Sequence, residues 1–359
     1  MTDVCAGRRR SRASLGVRVN MTGRERVLAV IEGRPVDHLP CMPITMMFAA
    51  DILGVRYRDY VSDYRILADA QMKTAEMFSL DYVSVISSPT REASDYGARI
   101  EWYDDQPPAI NEEHALFADK LALKSAKLCA PESGPRMSDR LRAVELLRQR
   151  AGNDLLVEGW VEGPCAEAAD LRGINRLMLD FSDDPEFVHD LFDFALEGAI
   201  RFAVAQIAAG ADIIGVGDAA ASLVGPRVYK QFVVEWERKL IDAIHAAGGR
   251  VRLHICGNTS RLLDGFATLG ADLIDIDYPV ALDKVRAATG LRQAIDGNLD
   301  PVRDVRNGTP ESIQRALTER HQQVGSPWIV SAGCEIVRDT PHQNLHAMVQ
   351  FAKLHNCDA

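Results

Sequence analysis

The 359-residue chain has no run of about 18 apolar residues, so no spanning helix is expected. It has no G-x-G-x-x-G and no G-x-x-x-x-G-K-[ST] anywhere. A glycine-rich cradle for nucleotide phosphates is therefore missing, and a nucleotide cofactor is not expected. Aromatics are 6% of the residues and the net charge is −10. An acidic chain without a basic, aromatic-studded patch argues against nucleic acid as a partner. The seven cysteines (5, 41, 129, 165, 256, 334 and 357) are odd in number and widely scattered. No secretory signal precedes them, so they read as reduced thiols of a cytoplasmic protein, free to bind metal.

What is present is ample apolar material, 47% of the chain, enough for one large core or two smaller ones. The first twenty residues stand apart. Five arginines (8, 9, 10, 12 and 18) face one aspartate, Asp3, giving +4 there and −14 in the remainder. Arg9-Arg10 is not followed by an apolar segment, so a twin-arginine signal is not supported. Residues 1–20 read as a disordered basic tail, or as the result of a start placed too early, with Met21 the true beginning.

From Thr22 the pattern turns regular. Val27, Leu28 and Ile31 recur at helical spacing, and Thr22 with Glu25 forms a capping box. A strand is expected at 39–46, weakened by its two prolines. A long helix at 63–78 leads to a strand at 81–87. The rhythm breaks from 90 to 137, an excursion with a short hairpin near 97–108. A helix at 138–149 resumes it. Strand and helix then alternate: 155–161 with 185–209, 212–216 with 226–247, 251–256 with 259–269. The series continues with 273–277 and 282–289, 292–297 and 310–323, 328–332 and 341–353. Eight β units, each followed by a helix, give an α/β chain of the (β/α)8 TIM-barrel class. The expectation is a single barrel domain over 21–359. It has an N-terminal helical extension and an insertion at about 90–137, between strands 2 and 3.

Barrels of this kind place their chemistry at the C-terminal ends of the strands. There the sequence delivers Glu158 and Glu162, Asp218, His254 and Cys256, Asp275 and Asp277, Asp296 and Asn298, and Cys334-Glu335. Polar groups at such positions are costly unless paired or used. His254 and Cys256 are two residues apart on RVRLHICGNTS (250–260), so they face the same way. Imidazole and thiolate are preferred zinc ligands, and Cys334 lies on the same rim. His, Cys and Cys leave a tetrahedral fourth position open, as catalytic zinc sites do. On these residues alone a second reading stands beside it: a packed histidine next to small buried thiols.

The chain resembles the uroporphyrinogen decarboxylase superfamily, most closely its zinc-dependent methylcobalamin:coenzyme M methyltransferase branch. The matching pieces are VEGWVEGPCAEAADLRG (157–173), GADIIGVGDAAASLVGPRVYKQF (210–232), LHICGNTSRLL (253–263), GADLIDIDYPVAL (270–282), DGNLDP (296–301) and SAGCEIVRDTPHQNLHAM (331–348). The resemblance implies zinc on His254, Cys256 and Cys334, which would be the catalytic centre. It implies a methyl group moved between a corrinoid (methylcobalamin), presented by a carrier protein, and a small-molecule acceptor or donor. Metal coordination would hold an acceptor thiol as thiolate at neutral pH. Asp218, Asp277 and Asn298 are the candidate substrate contacts, and a homodimer is compatible with the type.

One departure is visible. Decarboxylases of the superfamily carry R-P-P-x-W-x-M-R-Q-A-G-R near the N-terminus, whose arginines bind substrate carboxylates. Here the region reads RPVDHLPCMPITMMFAADILG (34–54), without the tryptophan or the paired arginines. Metal-free decarboxylation of a tetrapyrrole is therefore the lesser alternative. Demethylation of a small methylated compound onto the corrinoid is the nearer one. A corrinoid-sequestering role without catalysis ranks last, and the D-x-H-x-x-G pattern of corrinoid carriers is absent, so any corrinoid must come on another chain.

Overall fold

Helix α1 (Gly23–Ile31) starts at the capping box. The Thr22 hydroxyl accepts from the Glu25 amide, and Glu25 accepts from the Thr22 amide. In this computed structural model, which describes residues 20–356, the basic stretch before Asn20 lies outside the described residues. The strand expected at 39–46 is reduced to a single bridge, Cys41 to Val330. Pro40 and Pro43 have no N–H to donate, which limits pairing, and Met46 already opens α2 (Met46–Leu53). Then come α3 (Tyr57–Ser62), α4 (Tyr64–Phe78) and β1 (Tyr82–Ser84).

The excursion holds α5 (Arg91–Tyr96) and an antiparallel pair, β2 (Ile100–Glu101) with β3 (Ala109–Ile110). After α6 (Pro135–Ala151) and β4 (Leu156–Glu162), two helices follow that are not among the expected elements: α7 (Pro164–Arg172) and α8 (Ile174–Asp183), the latter despite Ile174, Leu177, Met178 and Phe181 at helical spacing. Eight of the nine α7 residues are buried, so α7 has no polar stripe to betray a helical period. Next are α9 (Pro185–Ala208) and β5 (Ile213–Gly217). The helix expected at 226–247 is interrupted: α10 (Pro226–Val228), a π-helical stretch at Tyr229–Val233, then α11 (Val234–Ala246). After β6 (Arg250–Ile255), the helix expected at 259–269 shrinks to α12 (Leu263–Phe266). The chain closes with β7 (Leu273–Ile276), α13 (Leu282–Thr289), β8 (Ala294–Asp296), α14 (Pro310–Val324), β9 (Trp328–Ile329) and α15 (His342–Leu354).

The seven strands β1-β4-β5-β6-β7-β8-β9 are parallel neighbours in that order. Segment 40–42 fills the gap between the ends. Val330 N donates to Pro40 O and Met42 N to Val330 O, while Asp81 N donates to Cys41 O at 3.3 Å. The ring is thereby hydrogen-bonded all round, a TIM barrel whose first stave is only an extended segment.

Side chains alternate along each stave. On β6, Val251, Leu253 and Ile255 join the apolar layer shared with the helices. Arg252 and His254 take the opposite face and point into the barrel. A second, smaller apolar cluster gathers the first residues of the strands, Tyr82, Leu156, Ile213, Leu273 and Ala294. Val27 and Val30 of α1 pack into it, so the helix plugs the N-terminal end of the barrel. Arg26 pins the plug: its guanidinium is paired with Asp37 and Asp81. The C-terminal end is left open.

Candidate metal centre at the open rim

Three of the side chains named from the sequence meet at that end. His254 is the inward residue next to last on β6, and Cys256 follows the strand's last residue. Their Nε2 and Sγ atoms are 3.0 Å apart. The Cys334 Sγ, from the loop after β9, lies 3.9 Å from that of Cys256. One ligand atom from each of the three falls within 4.8 Å of the others. Tetrahedral zinc with bonds of about 2.0–2.3 Å sets its donors roughly 3.4–3.8 Å apart. The donors are thus gathered at nearly coordination spacing, and their chemistry suits a borderline-soft ion.

The surroundings hold this cluster in place. Asp275 sits opposite His254 in the β6–β7 register, and its Oδ2 lies 3.0 Å from His254 Nδ1, leaving Nε2 for the rim. Arg252, one inward position below His254, is wholly buried. It contacts Asp275 at 2.9 Å, Asp296 at 2.6 Å and Glu158 at 3.3 Å. Three carboxylates share one guanidinium on the barrel axis, so Asp275 is itself anchored.

Burial alone would lower the basicity of His254. The neighbouring Cys256 sulfur and Asp275 outweigh it and push His254 well above its ordinary range. The two thiols divide their roles. A hydrogen bond from Cys256 holds Cys334 well below the usual thiol range, and the same bond holds Cys256 above it. The cluster already stabilises one thiolate, and a cation would accommodate the second.

The turn after Cys256 is fixed by Asp277, whose Oδ2 accepts from Gly257 N at 2.6 Å and whose Oδ1 accepts from Tyr278 N at 2.7 Å. Gly257 has φ +88°, a conformation glycine adopts freely. Gly333 lets the Cys334 loop lie against this corner; a Cβ there would collide with Tyr278 N and Asp277 Oδ1. Asn298 donates to the carbonyls of Asp277 and Val280 at 3.2 and 2.6 Å. Asp218, fully buried, accepts from the amides of Cys165 and Ala166 at the start of α7, and burial pushes it up to about 7. Asp218, Asp277 and Asn298 are thus bound to backbone around the centre, and none of them lines the cavity above it.

That cavity, about 190 Å³, is walled by Ile44, Met46 and Trp160, with His254, Cys256 and Cys334 at one side. Its remaining polar lining includes Arg91, Glu162 and Glu335. Arg91 is buried and occupied: it contacts Glu92 at 3.1 Å, Glu162 at 3.2 Å and the Ser88 carbonyl at 2.5 Å. Glu335 accepts from Met47 N, and burial pushes it up to about 8. Trp160 stands over β5, with its ring centroid 6.4 Å from that of His254. A Cβ at Gly215 would collide with its ring, so Gly215 is what admits the indole. Trp160 and Arg91 were not singled out from the sequence. The signal for Trp160 was the Gly215-x-Gly217 pair on the neighbouring strand.

Fold and site together define a (β/α)8 barrel enzyme with a metal-competent centre at its open rim. The chain belongs to the uroporphyrinogen decarboxylase (URO-D) family, whose model matches residues 22–355. It is 30% identical over 341 residues to the methylcobamide:CoM methyltransferase MtbA of Methanosarcina mazei, covering 92% of this chain and 98% of that one. It is 27% identical to the methylated-thiol–coenzyme M methyltransferase of the same organism, covering 93% and 89%. Among solved structures, a methyltransferase from Methanosarcina mazei superposes with a TM-score of 0.80 at 24% identity, covering 93% and 98%, which shows the shared fold. No described helix is long and apolar enough to cross a membrane.

Proposed function

We propose that this chain is a zinc-dependent methyltransferase that moves a methyl group between a corrinoid, held by a carrier protein, and a thiol activated at the His254–Cys256–Cys334 centre. The observation that carries the reading is the convergence of these three donors in the wall of a small cavity on the open rim. The likeness to methylcobamide:CoM methyltransferases over nearly the whole chain supports the chemistry. Bound zinc would lower the pKa of a thiol in the fourth position, so that a thiolate is present at neutral pH. The protein's own residues do the rest. Asp275 orients His254 and fixes its tautomer. The apolar walls exclude water from the reacting sulfur. The rim leaves an opening from which a corrinoid can approach.

The opposite duty, taking a methyl group from a small methylated compound to the corrinoid, uses the same residues. The relative named for methylated thiols keeps it as the second reading. A tetrapyrrole is disfavoured by a cavity of about 190 Å³ and by the carboxylate-binding arginines missing from 34–54.

The test is metal analysis of the purified protein together with methylcobalamin consumption in the presence of thiols. About one zinc per chain is expected, lost in Cys256→Ser and Cys334→Ser along with thiol-dependent demethylation. A protein with no stoichiometric metal would sink the proposal. Methylation of cob(I)alamin by methyl donors, without thiol-dependent turnover, would favour the second reading.

A further inference from the structure

Resting on the thiol reading above, we infer that Gln71 and Glu335 are positioning residues for the cavity wall at 44–47. Through that wall they set how bulky a thiol the centre accepts, and Glu335 also ties the wall to the ligand Cys334. The wall continues the first stave. Up to Met42 the stave is held by backbone pairing with Val330 and Asp81. Beyond Met42, on the side of β1, side chains take over. The Tyr82 hydroxyl donates to Pro43 O at 2.6 Å. Gln71, buried on α4, reaches between the stave and β1. Its Nε2 donates to Thr45 O at 3.2 Å, and its Oε1 accepts from Ser84 N at 3.2 Å. One carboxamide bridges the two where a strand ladder would otherwise run. On the side of β9, the loop that carries Cys334 holds the wall. Ile336 N donates to Ile44 O at 2.8 Å, and Met47 N donates to Glu335 Oε1 at 2.5 Å.

Ile44 and Met46 share the cavity of about 190 Å³ with His254, Cys256 and Cys334. Their side chains have no charge or hydrogen-bond donor with which to read a tail, so they act by where they stand. In an apolar pocket one methylene more or less is worth about 10- to 200-fold in discrimination. A wall that shifts outward gives up that discrimination. The ligands differ in what holds them. His254 and the turn after Cys256 are held from β7, by Asp275 and Asp277. The Cys334 loop lies between the Asp277–Tyr278 corner, which Gly333 lets it approach, and the wall. Loss of the Glu335 bond therefore reaches both wall and ligand, whereas loss of the Gln71 bridge reaches the wall alone. A carboxyl, a carboxylate and a carboxamide all offer Met47 N an acceptor oxygen, so the tie does not depend on the charge of Glu335.

The experiment uses three uncharged thiols of rising bulk: ethanethiol, 2-propanethiol and 2-methyl-2-propanethiol. The full-length protein is loaded with Co(II), and thiol binding is read from the sulfur-to-cobalt charge-transfer absorption. Affinities are compared per thiolate, corrected for each free thiol's own pKa. Cobalt affinity is measured separately by competition with a chelator. Wild-type affinity is expected to fall at least ten-fold from the first thiol to the last. Glu335→Ala is expected to shrink that ratio several-fold and to weaken cobalt binding several-fold, and Glu335→Gln to restore most of both. Gln71→Met is expected to shrink the ratio and leave cobalt affinity within two-fold. A wild-type protein indifferent to bulk overturns the inference, and so does a Glu335→Ala or Gln71→Met protein that keeps the wild-type ratio. Glu335→Gln behaving like Glu335→Ala would overturn it too, by assigning the effect to the carboxyl group itself. If cobalt binds but no thiol perturbs its spectrum, it is the thiol reading that falls, and the inference with it. Should one of the two wall variants fail to fold, the other decides.

Discussion

Under the proposed function, Asp275 is the residue on which the candidate metal centre turns without being one of its ligands. It stands 3.0 Å from His254 Nδ1 and is itself held by Arg252 at 2.9 Å. Asp275→Asn keeps the shape but removes the charge that makes His254 a stronger donor. Zinc affinity, measured by competition with a chromophoric chelator, is expected to fall about 10- to 100-fold, with the far-UV spectrum unchanged. Unchanged affinity would show that His254 is held by packing alone. His254, Cys256 and Cys334 were legible because their donor chemistry is rare and the strand parity is strict. Arg252 was not. An inward arginine at mid-strand looks like a fault until its three carboxylate neighbours, from three other strands, are seen around it. Asp218, Asp277 and Asn298 were read as polar groups at strand ends. Apart from the adjacent Tyr278, their backbone partners could not be read, because Gly257, Val280 and the start of α7 belong to other elements of the chain.

At the scale of elements, strands buried among helices announced themselves as short apolar runs closed by glycine or aspartate. Helices failed to announce themselves where burial was complete, as in α7, or where the helix was broken, as at Tyr229–Val233. Helix α1 was legible to the residue through its capping box, yet its role was not. Its valines face strand beginnings spread over 200 residues of sequence, and only the closed ring brings these together. The anchor of α1 has a pH signature. Burial would raise Asp37, but hydrogen bonds from Arg26 outweigh it and bring Asp37 down to about 2. A folded-state pKa below the unfolded value of about 3.9 contributes stability above that value and loses it as pH falls through the folded pKa. Asp37→Asn is therefore expected to cost about 1 kcal/mol at pH 7 after allowance for solvent screening. In urea unfolding, that difference should shrink below about pH 4 and vanish near pH 2. A difference constant with pH would assign the effect to packing.

At the scale of the molecule, the loops at the open end carry exposed apolar side chains: Leu223 after β5, Tyr278 after β7 and Val302 after β8. Under the proposed function this is the face a corrinoid carrier must approach. Leu223→Asp with Tyr278→Asp is expected to lower turnover with a carrier-bound corrinoid at least ten-fold, and to leave turnover with free methylcobalamin within two-fold. Equal losses with both would place the two residues in the fold of the rim and not in docking.

The plug formed by α1 has a further consequence. A chamber shut at its floor has one door, and two visitors of very different size need it. Under the proposed function a small molecule is seated before the carrier docks, because among the described residues both reach the centre through the open rim. The carrier then acts as the lid for its own reaction, and the methylated product waits until the lid lifts. Under that function, the order of arrival is thus set by the packed barrel beneath the centre, where Arg252 and its three carboxylates fill the axis above the α1 plug.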